Sequence, residues 1–112
     1  MLIYKIFRAP EWADLQTNGV TSGAPIDLSD GYIHFSTATQ AAETAAKHFA
    51  GVEGLVLAAI DTDAVADALK WEESRGGALF PHLYRDLNLS EVVWHRPLPL
   101  QDGAHVFPQE MT

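Results

Sequence analysis

The 112-residue chain contains no cysteine. That absence excludes a disulfide scaffold, a thiolate nucleophile and any zinc or iron–sulfur site built on cysteine. Positive charge is also scarce, because seven Lys and Arg stand against fifteen Asp and Glu, which gives a formal net charge of -8 at pH 7. Proteins that bind nucleic acid or anionic lipid by neutralising phosphates need the opposite balance. We therefore expect no extended nucleic-acid partner and no membrane partner.

Long apolar runs are missing as well. The longest nearly uninterrupted one, residues 55–60, is far below the roughly 20 residues that cross a bilayer. No small-residue cleavage site follows the apolar N-terminus, so we expect no targeting segment and a cytoplasmic protein. The composition, with 47% hydrophobic and 20% charged residues, is that of a folded protein. The length predicts a single domain over residues 1–112, with its core in about 2–100 and a C-terminal tail in about 101–112.

The spacing of apolar residues predicts a mixed fold. Residues 55–60 lack alternation, which is typical of a strand buried on both faces in the middle of a sheet. Residues 79–84 contain Pro81, which favours an edge strand or a bulge, and residues 20–30 have the composition of a loop. The other predicted elements are strands at 2–7, 31–36, 69–73 and 90–96, and helices at 10–16, 38–50 and about 61–68. Together they predict an α+β domain with two or three helices on a split, mainly antiparallel sheet.

The predicted strand at 31–36 carries polar groups on one face. A period of two places Tyr32, His34 and Ser36 together, where the strand leads into a helix capped by Thr37. One interpretation is a ligand pocket in which His34, with Ser36 or Thr37, hydrogen-bonds a phosphate, a ribose or an amide. The alternative is a histidine satisfied by a neighbour and hydroxyl groups that only cap the helix.

Lys5 is the one charged residue in the first predicted strand, and it shares a face with Ile3 and Phe7. Burying an ammonium there is costly unless the group is paired or reaches water. Lys5 therefore either extends to the surface or serves a pocket. In the second case, Lys5 and the helix N-terminus after Thr37 would attract a small anionic ligand.

The segment at 79–84 adds aromatic groups. Alternation places Phe80, His82 and Tyr84 on one face. Such a face can stack a planar ring, for example a nucleobase or nicotinamide, and can also transfer a proton. The alternative is an aromatic strand that packs on the core.

Glu72 stands beside a large aromatic residue, Trp71, in the predicted strand at 69–73. Partial burial there would raise the pKa of the Glu72 carboxyl enough for base catalysis. The alternative is an ion pair with Lys70 or Arg75, which would leave Glu72 a structural residue.

The chain lacks the spacings of common catalytic motifs. No HxH or HExxH supports a metal site formed by His34, Glu72 and His82, so we expect none. GxGxxG, GxxxxGK[ST] and GxSxG are missing too, so dinucleotide-fold, P-loop and α/β-hydrolase mechanisms have no signature in this chain.

Two phrases, GYIHFST at residues 31–37 and FPHLY at residues 80–84, are specific in their order and spacing. They stand together with IYKI at 3–6, Trp12, Gln40, Leu57, Asp61 and WE at 71–72. Over about residues 2–100 the chain thereby resembles a small bacterial and plant family, domain-of-unknown-function family nine-five-two. That family is similar to a compact ADP-ribosyltransferase fold, which includes RNA 2'-phosphotransferases and clasps NAD in a split sheet.

The resemblance implies a pocket and a role for individual residues. Lys5 takes the position of a His or Arg that contacts ribose, and Ser36 with Thr37 takes the position behind the nicotinamide. A catalytic Glu is expected on a late strand, where this chain offers Glu72 or His82. NAD is the cofactor that the resemblance implies.

Three functions are consistent with these residues. The first is a binding module whose pocket holds a small nucleotide-like or anionic ligand of the NAD or ADP-ribose type. The second is a transferase acting on NAD or on an ADP-ribosylated or phosphorylated nucleotide. The third is a protein–protein surface with Trp12, Trp94 or Phe107 exposed as anchors. For the first two, the candidate acid–base residues are His34, Glu72 and His82, and the candidate ligand-binding residues are Tyr4, Lys5, Ser36, Thr37 and Tyr84.

Overall fold

The computed structural model describes residues 1–111, and the side chains of all of them except Arg75. Within that range three α-helices lie among ten mostly short strands. The helices are α1 (Ala9–Asn18), α2 (Pro25–Asp30) and α3 (Ala38–His48). The strands are β1 (Leu2–Phe7), β2 (Val20–Thr21), β3 (Ile33–His34), β4 (Leu55–Asp61), β5 (Leu69–Glu73), β6 (Leu79–Leu83), β7 (Leu87–Asn88), β8 (Val92–Leu98), β9 (Leu100–Gln101) and β10 (Ala104–His105).

Two three-stranded antiparallel sheets form the frame, with strand orders β1-β4-β8 and β3-β6-β5. They meet at Tyr4 and Ser36, whose backbones exchange two hydrogen bonds. The Tyr4 N–H donates to the Ser36 carbonyl at 2.8 Å, and the Ser36 N–H donates to the Tyr4 carbonyl at 2.8 Å. The predicted α+β class, with three helices and antiparallel sheets, is confirmed.

β4 is the central strand of the first sheet, and its residues alternate between two apolar clusters. Ala58 and Ile60 face one cluster, whereas Leu57 and Ala59 face the other. All four are 0% exposed. Full burial of a large aliphatic side chain contributes about 1.5–3 kcal/mol, so this strand stabilises both layers. The prediction of a strand buried on both faces is confirmed.

The prediction that Pro81 marks an edge strand is wrong, because β6 is the central strand of the second sheet. The ladder between β3 and β6 covers only two residues of β6, Leu83 and His82. Pro81 lies just past the end of that ladder, where its carbonyl accepts from the Phe35 N–H at 3.0 Å. The amide and carbonyl of one strand residue face the same side, so the missing Pro81 donor interrupts neither ladder.

Residues 20–30 are not the loop that their composition predicts, because β2 and α2 lie within them. Pro25 occupies the first turn of α2, and Gly31 ends the helix with φ 85. The Asp27 side chain accepts the Ala24 N–H at 2.8 Å, which satisfies a donor at the helix start. The following strand, predicted for 31–36, is limited to the two residues of β3 and the Ser36 bridge.

α1 and α3 occur where the sequence predicts helices, with different bounds. α1 extends past the predicted 10–16 to Asn18, and Gly19 ends it with φ 74. α3 ends at His48 rather than at residue 50. The Thr37 hydroxyl accepts the Gln40 N–H and the Gln40 side chain accepts the Thr37 N–H, as a capping box predicts. The buried residues of α3 are Ala41 and Ala45.

Two further segments differ from prediction. The helix expected at about 61–68 is a single 3₁₀ turn, Thr62–Val65, whose start is capped by the Asp61 carboxylate. β8 continues past the predicted 90–96 to Leu98, and the expected tail contains the hairpin of β9 and β10. Asp102 and Gly103 turn that hairpin with φ 54 and 82, the left-handed conformation that an Asp-Gly hairpin turn requires.

The three aromatic residues proposed as exposed anchors do not lie free on the surface. Trp12 is 7% exposed and belongs to the core. Trp94 and Phe107 are half-buried and pack against the cluster that contains Tyr4. Trp12 is therefore not an exposed anchor, whereas the hypothesis for Trp94 and Phe107 stays a prediction. Among residues 1–111, no helix is both long and apolar enough to cross a bilayer.

Candidate functional site

A cavity of about 720 Å³ lies where the two sheets meet, between β1, β3 and β6 on one side and α2 and α3 on the other. We call it the central cavity. Its volume is in the range of small-molecule sites, roughly 300–1,000 Å³. Of the predicted site residues, five line it: Tyr4, Lys5, His34, Ser36 and His82.

Lys5 points from β1 into the protein and is 6% exposed, so it does not extend to the surface. Its Nζ lies 2.9 Å from the Asp27 Oδ2 and donates to the His34 carbonyl at 3.2 Å. The ammonium is therefore already compensated by a carboxylate. An anion entering the cavity would meet a neutral Lys5–Asp27 pair rather than a bare positive charge.

Asp27, which the sequence interpretation missed, is the buried centre of this cluster and is 1% exposed. Burial by itself would raise the pKa of its carboxyl, but the hydrogen bond from His34 and the charge of Lys5 outweigh burial and hold the pKa at about 2. A carboxylate so placed stays ionised at neutral pH. Gly23 makes room for it, because a Cβ there would lie 2.5 Å from the Asp27 Oδ2.

His34 lies between two carboxylates. Its Nδ1 is 2.5 Å from the Asp27 Oδ1, and its Nε2 is 3.0 Å from the Asp30 Oδ2. Its backbone N–H also donates to Asp27, at 3.1 Å. Both ring nitrogens are thus engaged within the protein. Of the two interpretations offered for His34, this geometry fits a histidine satisfied by its neighbours.

A second histidine–carboxylate pair joins β5 to β6. The His82 Nδ1 lies 2.8 Å from the Glu72 Oε1, and the Tyr84 hydroxyl donates to the same oxygen at 2.7 Å. The hydrogen bond from Tyr84, and to a smaller extent the one from His82, lowers the pKa of the Glu72 carboxyl. The same Tyr84–Glu72 hydrogen bond raises the pKa of Tyr84 to about 12. The expected rise in the Glu72 pKa is therefore wrong. The predicted partner Lys70 instead lies over the Tyr84 ring at 4.7 Å, and the side chain of Arg75 is outside the described structure.

Tyr32 connects the two pairs. Its ring stacks on His82 with centroids 4.1 Å apart and lies 4.7 Å from the His34 ring. On its other side it approaches Tyr84 at 5.2 Å, beside a smaller cavity of about 210 Å³. Tyr84 lies one residue past the end of β6. Phe80 and His82 line the central cavity, but Tyr84 does not. Glu72 lies outside its wall too.

Ser36 and Thr37, paired in the prediction, have separate environments. The Ser36 hydroxyl is buried in the cavity wall and lies 3.0 Å from the Thr44 Oγ1 of α3. Thr37 is not part of the wall and caps α3 together with Gln40. The Thr37 N–H donates to the Gln40 side chain, so this backbone donor at the start of α3 is hydrogen-bonded within the protein.

The sequence by itself assigns Asp27 no role, because it lies in residues 20–30, whose composition predicts a loop. Two signals could have found it. Pro25 and Gly31 have the spacing of a short helix, which places Asp27 in the third helical position where acids are favoured. A lysine predicted inside an apolar face also requires a partner such as a carboxylate wherever its ammonium does not reach water.

In the described chain no three His, Asp or Glu side chains are grouped so as to hold a metal ion. The chemistry that these residues support is hydrogen bonding and proton transfer. Fold and site together define a small α+β domain with a histidine- and aromatic-lined cavity at the junction of two antiparallel sheets.

The family model for proteins of unknown function DUF952 matches residues 6–95, and the chain belongs to this family. The resemblance of the sequence to this domain-of-unknown-function family is confirmed. Two crystal structures of protein CC0527 from Caulobacter crescentus, one of them of a double mutant, share 48% identity and a TM-score of 0.90, covering 95% of this chain and 94% of theirs. The solution NMR structure of CC0527 has a TM-score of 0.83 at 48% identity, covering 93% of this chain and 90% of that one. A comparison with curated proteins gives no match.

Proposed function

We propose that the central cavity binds a small nucleotide-like ligand, of the NAD or ADP-ribose type. The observation that carries this proposal is the convergence of aromatic rings and hydrogen-bonding side chains on one cavity of about 720 Å³. Sites for small organic ligands combine mostly apolar walls with a few placed polar groups.

The walls suit a planar heterocycle joined to a sugar. Phe35, Phe49 and Phe80 supply aromatic surface, against which a base or nicotinamide ring can pack. Ser36 and His82 offer polar atoms within the same wall, suited to ribose hydroxyls or an amide. The ring would occupy the interior and the sugar would lie near these two residues.

The charged part of such a ligand would lie at the rim. Among lining residues whose side chains are described, Lys5 and Arg8 are the permanent cations. Lys5 is buried against Asp27, with 2.9 Å between its Nζ and the Asp27 Oδ2. The Arg8 side chain is instead 46% exposed, and its ion pair with the Glu11 carboxylate is longer, at 3.9 Å. Arg8 lies over the Phe49 ring at 4.7 Å, so its guanidinium can turn toward a phosphate without leaving the cavity mouth.

The similarity to ADP-ribosyltransferase folds adds support, since a ligand cavity at the junction of a split antiparallel sheet is what that resemblance implies. It also suggests a second candidate, a transferase of the ADP-ribosyl or RNA 2'-phosphotransferase type. Two histidine–carboxylate pairs beside one cavity favour this candidate, because proton transfer needs such groups.

Calorimetric titration with ADP-ribose and with NAD tests the binding proposal. We expect wild-type protein to bind ADP-ribose, and R8Q to bind it about tenfold more weakly or worse, since a charge-assisted hydrogen bond is lost. R96Q is the matched control, because Arg96 is an exposed arginine of β8 outside the cavity wall. Absence of binding at millimolar ligand, or equal losses in R8Q and R96Q, would overturn the proposal. Nicotinamide release from NAD would establish the second candidate.

A further inference from the structure

We infer that His82 is the proton-accepting residue of the central cavity, with Glu72 and Tyr84 as its positioning residues, and that His34 does not share this role. The inference deepens the proposed function and rests on it, because the proton would come from a ribose hydroxyl of the bound ligand.

The hydrogen bonds of Glu72 determine which nitrogen of His82 carries the proton. An ionised carboxylate only accepts hydrogen bonds, and its pKa is lowered by the donors around it. The Tyr84 hydroxyl donates to Oε1, and the His82 Nδ1 at 2.8 Å must donate to the same oxygen. In a neutral imidazole with a proton on Nδ1, Nε2 carries a lone pair.

The Nε2 of His82 has no partner among the described residues, and the His82 residue lines the cavity. The His82 side chain is only 3% exposed, yet it forms part of the cavity wall. No fully inaccessible side-chain nitrogen or oxygen of the described chain lacks a hydrogen bond. The Nε2 therefore retains access, and because His82 lines the central cavity we infer that this nitrogen opens toward it.

The ring of His82 is also held in one orientation. The Glu72 bond restrains it at Nδ1, and Tyr32 stacks on its face at 4.1 Å. This arrangement, a carboxylate behind an imidazole whose second nitrogen faces the ligand, orients the lone pair and stabilises the imidazolium that forms. His34 differs, since Asp27 and Asp30 engage both of its nitrogens.

The proton-transfer step is balanced by these groups. The ligand O–H bond breaks, its proton bonds to the Nε2 lone pair, and the electron pair remains on the ligand oxygen. The imidazolium then donates from Nδ1 to Glu72 and from Nε2 back to that oxygen. The reverse transfer restores the starting state, so no oxidant, metal or co-reactant is required.

Nitrogen-15 NMR of the histidine rings tests the assignment in the free protein. We expect protonated Nδ1 and unprotonated Nε2 for neutral His82. In E72Q the amide can donate as well as accept, so we expect a mixture of tautomers. The neighbouring exposed Glu73 provides the control E73Q, which should leave the wild-type tautomer. A wild-type ring protonated on Nε2, or an E72Q ring unchanged from wild type, would overturn the inference.

Acylation by diethyl pyrocarbonate, located by mass spectrometry, provides a second readout. This probe reacts at an unprotonated imidazole nitrogen, so we expect His82 to react faster than His34. Equal or faster reaction at His34 would contradict the assignment. ADP-ribose should protect His82. If the tautomer and reactivity are as expected and ADP-ribose neither binds nor protects, the nucleotide proposal fails while the assignment of the reactive nitrogen stands.

Discussion

In the Asp27–His34 pair the carboxylate is buried and the imidazole reaches solvent, whereas in the Glu72–His82 pair the order is reversed. The side chains of Asp27 and His34 are 0% and 31% exposed, and those of Glu72 and His82 are 38% and 3% exposed. The same two chemical groups at hydrogen-bond distance therefore have different consequences. A buried carboxylate requires permanent compensation, which Lys5 supplies, whereas a buried neutral imidazole requires only one acceptor.

The two pairs therefore differ in role: the Asp27 pair stabilises the fold, whereas the Glu72 pair keeps a histidine nitrogen that can accept a proton. The Asp27 cluster consumes its donors and acceptors internally, so it holds α2 against β1 and β3. The Glu72 pair uses only the Nδ1 of His82, a residue that lines the cavity.

The largest effect is expected from D27N. Removing one partner of a buried ion pair leaves Lys5 as an uncompensated buried ammonium, which costs about 3–5 kcal/mol of unfolding free energy. Urea unfolding followed by circular dichroism measures the loss. E72Q, which changes a half-exposed carboxylate, should reduce stability much less.

The variant K5M/D27N sharpens this result. Replacing both charges removes the unpaired ammonium, so the double variant should be more stable than D27N alone. If K5M/D27N loses as much as D27N, or if D27N is as stable as E72Q, the burial argument for Asp27 is incorrect.

Acid should weaken the Asp27 cluster over a defined range. The folded pKa of Asp27 is about 2, against an ordinary value of 3.8. The stabilisation is therefore fully present above pH 3.8 and is lost as the pH falls through about 2, and it amounts to about 2 kcal/mol. Unfolding free energies of wild type and D27N, measured between pH 5 and pH 2, should converge as the pH falls. Parallel curves would contradict this prediction.

A smaller effect is expected from Y32L, which removes the ring between the two pairs. The lost aromatic contacts cost about 0.5–1.5 kcal/mol. NMR signals of both imidazoles should shift, because Tyr32 contacts His82 and His34 alike. Y32F keeps the ring and serves as the control. A change confined to one histidine would show that Tyr32 does not connect the pairs.

The smallest change in stability is expected in the Glu72 pair, where titration is the better measurement. The hydrogen bond to Glu72 raises the pKa of Tyr84 to about 12 from 10.0. E72Q should lower the Tyr84 pKa toward 10.0, observed by NMR of labelled tyrosine rings. D27N, which changes the other pair, should leave it high. A Tyr84 pKa near 12 in E72Q would mean that another group causes the shift.

The sequence correctly predicted the elements whose signals lie within a few neighbouring residues. Residues 2–7 and 69–73 form the expected strands, and Thr37 with Gln40 begins α3 as the capping box indicates. The burial of 55–60 on both faces also follows from its uninterrupted apolar side chains. In each case the neighbouring residues in sequence carry the whole signal.

Other features depend on partners distant in sequence. Pro81 lies in a central strand because the two-residue ladder with β3 ends before it. Composition suggested a loop at 20–30, although Pro25 and Gly31 bound a short helix there. Of the two alternatives offered for Glu72, the raised pKa is wrong, because the two donors that lower this pKa lie on another strand and just beyond it.

The sequence by itself determined the absence of thiol chemistry, the acidic charge, the α+β pattern, the family and the requirement that Lys5 either reach water or be paired. Only the tertiary structure decided that Asp27 compensates it and that His34 has no free nitrogen while His82 keeps one. The physical reason is distance along the chain. Backbone periodicity fixes which face a side chain occupies, but the Lys5–Asp27 ion pair exists only after α2 has packed against β1, and the Glu72–His82 hydrogen bond exists only after β5 has paired with β6.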